Sequence, residues 1–433
     1  MEKQINLQDI GEYLVPYARY FHRSEARELA QCYVVGLMMD GERKSVEPMS
    51  ERVHGSERGM QRLLTGVVLD EAEAMGEYRQ QMLAETRDPQ GVLVVDDTAF
   101  PKKGRHSVCV SRQYCGARGK VDNCQVGVSL TYVGQGVSWP YAMDLFIPES
   151  WDDLNDPECR VMRSKTHMPD SARYREKWKI ALEQIDLARA EGVPHRAVVS
   201  DGWYGNIPEF REGLERRGER YVVGIYSNTE VFTESPVFEV PEPKKRKRGR
   251  PVKRPKLIET HPRPIKVSEL GQAVEEGAWE HLELRRDSRD KPLIAEAVSR
   301  RVWPANGYRQ GARHEEVWLI IERRWQEKGS YELRYFFSNL PQTMPTLEIV
   351  RFLHEKFWIE HGYQQLKEEL GLDHHEGRSW PGWHRHVFLV FLSFGYLMKM
   401  RLQEKKRQQQ LLWENRLQLR TQEQGCSYWM ILP

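Results

Sequence analysis

The chain has 433 residues, with 65 Lys and Arg against 63 Asp and Glu and 39% hydrophobic residues, and its mean hydropathy is −0.69, so it is long and polar enough for two or three soluble domains. Its longest apolar stretch, Val387 to Met398, spans 12 residues and contains Ser393 and Gly395, well short of the ~20 that a bilayer-spanning helix needs. A helical membrane protein is thereby excluded, and an N-terminus with early acids and no apolar core predicts a cytoplasmic location.

Residues 1–88 read as a helical domain, with apolar residues at helical spacing in Tyr13 to Met39 and again in Gln61 to Met82. The connector between them carries Arg43, Lys44, Arg52, His54 and Arg58. It leaves two readings open, a DNA-binding helix-turn-helix or a dimerisation module. From Gln90 the pattern changes to strands, in GVLVVDDTAF, HSVCVSRQYCG, NCQVGVSLTYVG and WPYAMDLFIP. Arg173 to Glu191 has helical period and is closed by Gly192. A short buried strand, AVVS, then precedes a helix near Pro208 to Arg217 and the strand RYVVGIY. A β-meander followed by alternating strands and helices predicts a mixed α/β sheet. Residues 89–226 form its first part and 341–400 its second, with helix predicted from Thr346 to Leu370 and closed by Gly371. Residues 227–340 between them read as a β-rich insertion, a subdomain of its own. Residues 401–433, rich in Gln, read as a polar helical tail. Six scattered cysteines without a CxxC pair predict free thiols rather than disulfides or structural zinc.

The net charge of +2 is unevenly spread. Nine of the thirteen residues from Lys244 to Lys256 (KKRKRGRPVKRPK) are basic, and the other 420 residues hold 56 bases against 63 acids. So dense a block stays solvated and extended, ready for a polyanion such as DNA.

Three acidic positions stand out. Asp96-Asp97 ends the buried strand VLVV and Asp201 ends AVVS, and carboxylates at strand ends of an α/β sheet face the crevice where ligands sit. Glu360 lies in a helical segment with Lys356, Tyr363, Gln364 and Lys367 on its face at helical spacing. Hard oxygen donors in that number suit Mg²⁺ or Mn²⁺, and a pair of such ions about 4 Å apart can clamp the attacking and leaving oxygens of a phosphodiester. Taken singly, Asp201 could equally be a helix cap, and Glu360 with its lysines a salt-bridged surface. Lys102, Lys103 and Arg105 follow the first acids and could hold the scissile strand or lie in water. Four histidines, 374, 375, 384 and 386, lack a cysteine partner and sit among Trp and Arg, which reads as a DNA-contacting loop or a helix start rather than a zinc site.

The segments VVDDTAFPKKGRHSV, RQYCGARGKVDNCQVGVSL, VVSDGWYGN and WIEHGYQQLKEELGLDHHEGRSWPGWHRH resemble the bacterial insertion-sequence transposases of the DDE superfamily, in the branch with a β-rich insertion before the catalytic glutamate. The resemblance implies an RNase H-like core and a catalytic, metal-holding triad of Asp97, Asp201 and Glu360, with Asp97 chosen over Asp96 because it directly precedes Thr98. Of the family's signature Tyr-x2-Arg-x3-Glu-x6-Lys, this chain has Leu353, Lys356, Glu360 and Lys367, so Glu and Lys are kept, Tyr is lost and Arg is replaced. The resemblance further implies a transposase with Mg²⁺ (Mn²⁺ substituting) that cuts element ends and joins them to target DNA, acting as a homodimer. Lys356, Lys367, Lys102 and Lys103 are the expected DNA contacts. Arg248-Gly249-Arg250-Pro251 resembles an AT-hook, adding Arg248 and Arg250. The alternative is a catalytically silent, domesticated DNA-binding derivative.

Overall fold

A computed structural model describes residues 7–239, 256–258, 260–286, 291–305, 315–326, 329–355 and 357–427, without the side chains of Arg285, Arg286, Phe357, Trp358, Glu360, Leu412 and residues 414–427. The N-terminal region is helical as its periodicity requires: α1 (Leu7–Leu14), a 3-10 segment (Val15–Tyr20), α2 (Ser24–Met38), α3 (Val46–Arg52), α4 (Glu57–Thr65) and α5 (Glu71–Thr86). Ser56 caps α4 by accepting the Gly59 amide at 3.0 Å, which satisfies one of its orphan donors.

A meander follows, made of β1 (Val92–Pro101), β2 (Ser111–Cys115), β3 (Lys120–Gly134) and β4 (Val137–Leu145). After α6 (Pro157–Lys165) come α7 (Lys177–Ala190), β5 (Ala197–Ser200), α8 (Gly202–Gly205), α9 (Pro208–Arg216) and β6 (Tyr221–Ile225). Gly192 ends α7 in the left-handed conformation at φ +65°, as its place in the sequence predicts. β1 pairs antiparallel with β3 and β3 with β4, whereas β1–β5 and β5–β6 are parallel. The resulting order, β4-β3-β1-β5-β6, is that of an RNase H-like core.

Among the described residues, most strands of the segment after β6 extend the core sheet. That segment contributes β7 (Glu230–Phe232), β8 (Phe238–Glu239), β9 (Lys256–Leu257), β10 (Ile265–Lys266), α10 (Val267–Gln272), β11 (Glu280–Arg286), β12 (Pro292–Pro304), β13 (Val317–Trp325) and β14 (Tyr331–Ser338). Apart from the small β8–β9 pair, these strands join the core in one 12-stranded sheet. β14 hydrogen-bonds along β6 from Tyr335↔Ile225 to Ser338↔Val222, so the edge β6 would otherwise expose is paired. The expected separate subdomain is, among the described residues, an extension of the core sheet.

The helix expected from Thr346 to Leu370 is divided into α11 (Thr346–Glu355), α12 (Phe357–Gln364) and a π-helical turn, Gln365–Glu369. The last helix, α13 (Trp380–Ser427), is one continuous rod. Its apolar stretch, Val387 to Met398, is buried except at Leu397 and shares a core with the N-terminal helices, including Tyr13, Tyr17, Tyr33 and Tyr78. Arg385 joins the layers, its guanidinium donating to Glu71 at 2.7 Å and to the carbonyls of Leu63 and Leu64 at the end of α4. Arg79 of α5 likewise meets both carboxylate oxygens of Glu191, which also accepts from the Tyr141 hydroxyl.

Arg79→Ala leaves the half-buried Glu191 carboxylate without its counter-ion and is expected to destabilise the fold by about 3–5 kcal/mol, read as a lower midpoint in urea denaturation.

Candidate active site

The site forms where the parallel pairing of β1 with β5 ends: β5 stops at Ser200, but β1 runs on to Pro101, so Asp96 and Asp97 lie within their strand and not at its end as the sequence predicts. Val95 of β1 lies opposite Ser200 of β5, so the next residue on each, Asp96 and Asp201, emerge side by side. Side chains alternate along a strand, and the apolar clusters identify the two faces. Val92 and Val94 of β1 pack with Ala197 and Val199 of β5 and with Ile349, Val350 and Ile359 of α11 and α12. Leu93 and Val95 belong to the other cluster, with Ile180, Ala181 and Ile185 of α7. Asp96 thus continues the face beneath α11 and α12, and Asp97 the face beneath α7.

The contacts agree with this alternation. The Lys177 ammonium, on the first residue of α7, lies 2.6 Å from Asp97 Oδ2, and the Tyr204 hydroxyl donates to Asp97 Oδ1. Burial pushes the Asp97 carboxyl above its ordinary range, the Lys177 ammonium opposes that rise, and the charge of Asp201 adds to it. Lys177 also sits 5.5 Å from the Phe146 ring centre and 5.1 Å from that of Trp203, two aromatic faces that favour a cation.

Asp201 caps α8, with Oδ1 accepting the amides of Trp203 at 3.0 Å and Tyr204 at 3.2 Å. Tyr204 therefore touches both aspartates, one through its amide and the other through its hydroxyl. α8 lies almost on the backbone of β6, where a Cβ at Gly205 would stand 1.9 Å from the Gly224 carbonyl oxygen. Only glycine permits that approach, and it fixes where Asp201 ends up.

Asp96 Oδ1 accepts the Asp97 amide at 2.8 Å. Its cross-strand neighbour is Ser129, whose hydroxyl bonds to that of Tyr363 on α12. The Tyr363 phenol is held well above its usual pKa by burial and then by Asp96, Asp97 and Asp201, so it remains protonated. Glu360 lies three residues earlier on α12. Its side chain, and all of Lys356, Arg248 and Arg250, lie outside the described residues.

The other expected contacts take varied places. Lys367 sits in the π-helical turn, which displaces it from the α-helical spacing used to align it with Glu360. Its ammonium donates to the Ala99 carbonyl at 3.1 Å, and burial lowers its pKa. Lys102 donates to the His375 carbonyl. Lys103 and Arg105 are exposed, and Leu353 is packed inside α11. The histidines begin or precede α13 as packing residues: His386 lies between the Tyr33 hydroxyl and the carbonyls of Gly371 and Leu372, stacked on His375 at 5.0 Å. Burial pushes His386 down to about 4, so it is a neutral linker within the core.

Carboxylate oxygens suit a hard divalent cation, and Asp96 and Asp201, one residue beyond the last pair of the β1–β5 register, are hard oxygen donors of the kind such an ion takes. Among the described residues, no three His, Cys, Asp or Glu side chains gather into a metal cluster, and no helix is long and apolar enough to cross a membrane.

A family model described as a DDE superfamily endonuclease matches residues 16–291. The chain belongs to this superfamily. The match to the DDE endonucleases includes Asp96, Asp97 and Asp201 and stops before α12. The chain is also 23% identical over 367 residues, 84% of its length and 80% of the relative's, to a probable transposase for insertion sequence element IS701 from Microchaete diplosiphon. Among solved structures it is similar to a piggyBac transposase synaptic complex with hairpin DNA, with a TM-score of 0.39 and 10% identity over 90% of this chain and 71% of that one. Lys177 and the hydroxyl of Tyr204 were not signalled by the sequence of this DDE endonuclease, because Lys177 is 80 residues from the carboxylate it meets. Tyr363 was legible as a neighbour of Glu360 at helical spacing.

Burial pushes the Lys102 ammonium down to about 8, below its unfolded value of roughly 10.4. Between those values the unfolded chain binds more protons than the folded one, so stability should rise with pH. The expected gain from pH 8 to pH 10 is about 2–3 kcal/mol relative to Lys102→Met, measured by urea denaturation of both proteins.

Proposed function

We propose that this chain is an insertion-sequence DNA transposase that cuts the ends of its element and joins them to target DNA by phosphodiester hydrolysis and transesterification. The observation that carries the reading is the placement of Asp96-Asp97 and Asp201 just past the last pair of the β1–β5 register, in a chain whose family is the DDE endonucleases. Endonucleases of this superfamily generally use divalent metals, and its transposases act on DNA.

A carboxylate of the Asp96-Asp97 pair, which the resemblance assigns to Asp97, would hold the ion together with Asp201 and Glu360. Mg²⁺, with Mn²⁺ as substitute, would supply Lewis-acid stabilisation of the phosphoryl oxygens and a water of lowered pKa. The chain's own contribution is positioning: Tyr204 holds Asp97 through its hydroxyl and Asp201 through its amide, and Tyr363 braces α12 against β3. Exposed Lys103 and Arg105 follow β1 and can meet the phosphates of the scissile strand. Lys356, Lys102 and Lys367 complete the proposed DNA-facing set, the latter two by first releasing their backbone carbonyls. The basic block from Lys244 to Lys256 supplies further phosphate contacts, with Arg248 and Arg250 in an A·T minor groove. The active complex is a homodimer on paired inverted repeats, in the cytoplasm and bound to the nucleoid.

Purified chain incubated with Mg²⁺ and a duplex carrying the element's terminal repeat should cut at the repeat. Asp201→Asn and Glu360→Gln should each reduce cutting by on the order of 10²–10³-fold while gel shifts show retained DNA binding. A wild-type chain that binds both ends but never cuts in Mg²⁺ or Mn²⁺ would leave only the DNA-binding part of the proposal.

A further inference from the structure

We infer that Asp96, and not Asp97, is the β1 carboxylate that works with Asp201 and the Glu360 helix, and that Asp97 is a positioning residue on the opposite face of the sheet. The inference rests on the transposase reading above and specifies its site.

Three independent observations carry it. The first is parity. On β1, residues 92 and 94 face α11 and α12, while 93 and 95 face α7. The strand remains extended and paired through Asp96↔Ser129 and Asp97↔Val128, so Asp96 shares its face with Val94, and Asp97 shares its face with Val95. On β5, Ala197 and Val199 lie on the α12 face, and Asp201 is still extended at φ −78° and ψ −178°, which returns it to that same face. Neighbours in register across parallel strands present their side chains to one side. Asp96 and Asp201 each follow the last registered pair, Val95↔Ser200, so the same alternation carries both to that side.

The second is the position of α12. Directly opposed residues in an antiparallel pair lie on one face, and Ser129, opposite Asp96, bonds Tyr363 of α12. Glu360 is on the same helix, one turn earlier.

The third is the environment of Asp97. One carboxylate oxygen is met by the Lys177 ammonium and the other by the Tyr204 hydroxyl. Lys177 is also enclosed by the Phe146 and Trp203 rings. This is a structural ion pair under α7. Its effect on the site passes through Tyr204, whose amide holds Asp201: Asp97 fixes the tyrosine ring, and the ring fixes the turn that aims the second aspartate.

The test compares full-length Asp96→Asn, Asp97→Asn and Asp97→Asn/Lys177→Gln with wild type in three measurements: metal-free melting temperature, Mn²⁺ binding by electron paramagnetic resonance, and Mn²⁺-dependent cutting of a supercoiled plasmid carrying the element ends. Asp96→Asn should keep the metal-free melting temperature, bind Mn²⁺ at least about tenfold more weakly and lose on the order of 10²–10³-fold in cutting. Asp97→Asn should melt several degrees lower without metal, because Lys177 is left half-buried and unpaired, and the double variant should recover melting temperature, Mn²⁺ binding and most of the cutting. The assignment is overturned if Asp97→Asn melts normally yet loses Mn²⁺, if the double variant melts normally but does not cut, or if Asp96→Asn cuts like wild type. Wild-type chain that neither binds Mn²⁺ nor cuts would instead remove the transposase reading on which the assignment rests.

Discussion

The register of one parallel strand pair governs the rest of the molecule. With Val95 opposite Ser200, the carboxylates of Asp96 and Asp201 leave the sheet at the same level, and a slip of one residue would send one of them to the opposite face. Much of the fold serves to hold that register. β3 pairs with β1 along its whole length, from Val92↔Val133 to Pro101↔Cys124. β6 and β14 continue the sheet on the far side, so that β5 is central and short rather than an edge. The close backbone approach of Gly205 and Gly224 then sets α8, and Asp201 at its head, against β6.

Alternation gives adjacent acids different work. Two carboxylates in sequence cannot both face one ion from a regular strand, and this chain places the second against a lysine beneath α7. Burying a carboxylate and an ammonium is costly unless each remaining lone pair and proton is met. Here a phenol and two aromatic faces help meet them. The pair therefore brings less net stability than direction, because it makes the position of the Tyr204 turn depend on the seating of α7.

The helical layer acts at a distance. The apolar stretch of α13 shares a core with the N-terminal helices, while Arg385 of α13 bonds to the end of α4 and Arg79 of α5 to the residue that follows α7. Lys102 and His386 extend these links to the segment between the π-helical turn and α13, through the carbonyls of His375, Gly371 and Leu372. Several basic and aromatic residues that look like ligand-binding groups in the sequence are thus engaged in holding backbone carbonyls, which a sequence does not reveal because the acceptor carries no residue identity.

Local pattern was sufficient for much of the architecture. Strand alternation, helical period and the glycine at the end of α7 located the meander, the α/β core and Asp201 at the end of β5, because each of those signals is set within a few residues, whereas β1 runs past Asp96-Asp97 to Pro101 because its pairing with β3 continues there. The segments after β6 were legible as strands but not as part of the core sheet, since the pairing of β14 with β6 is a contact across more than a hundred residues. Likewise, the motif around Asp96-Asp97 marked the acids by type. Which of them faces the glutamate helix was decided only when β1 was packed between α7 on one side and α11 and α12 on the other, because a strand's alternation assigns side chains to two faces and only tertiary packing determines what covers each.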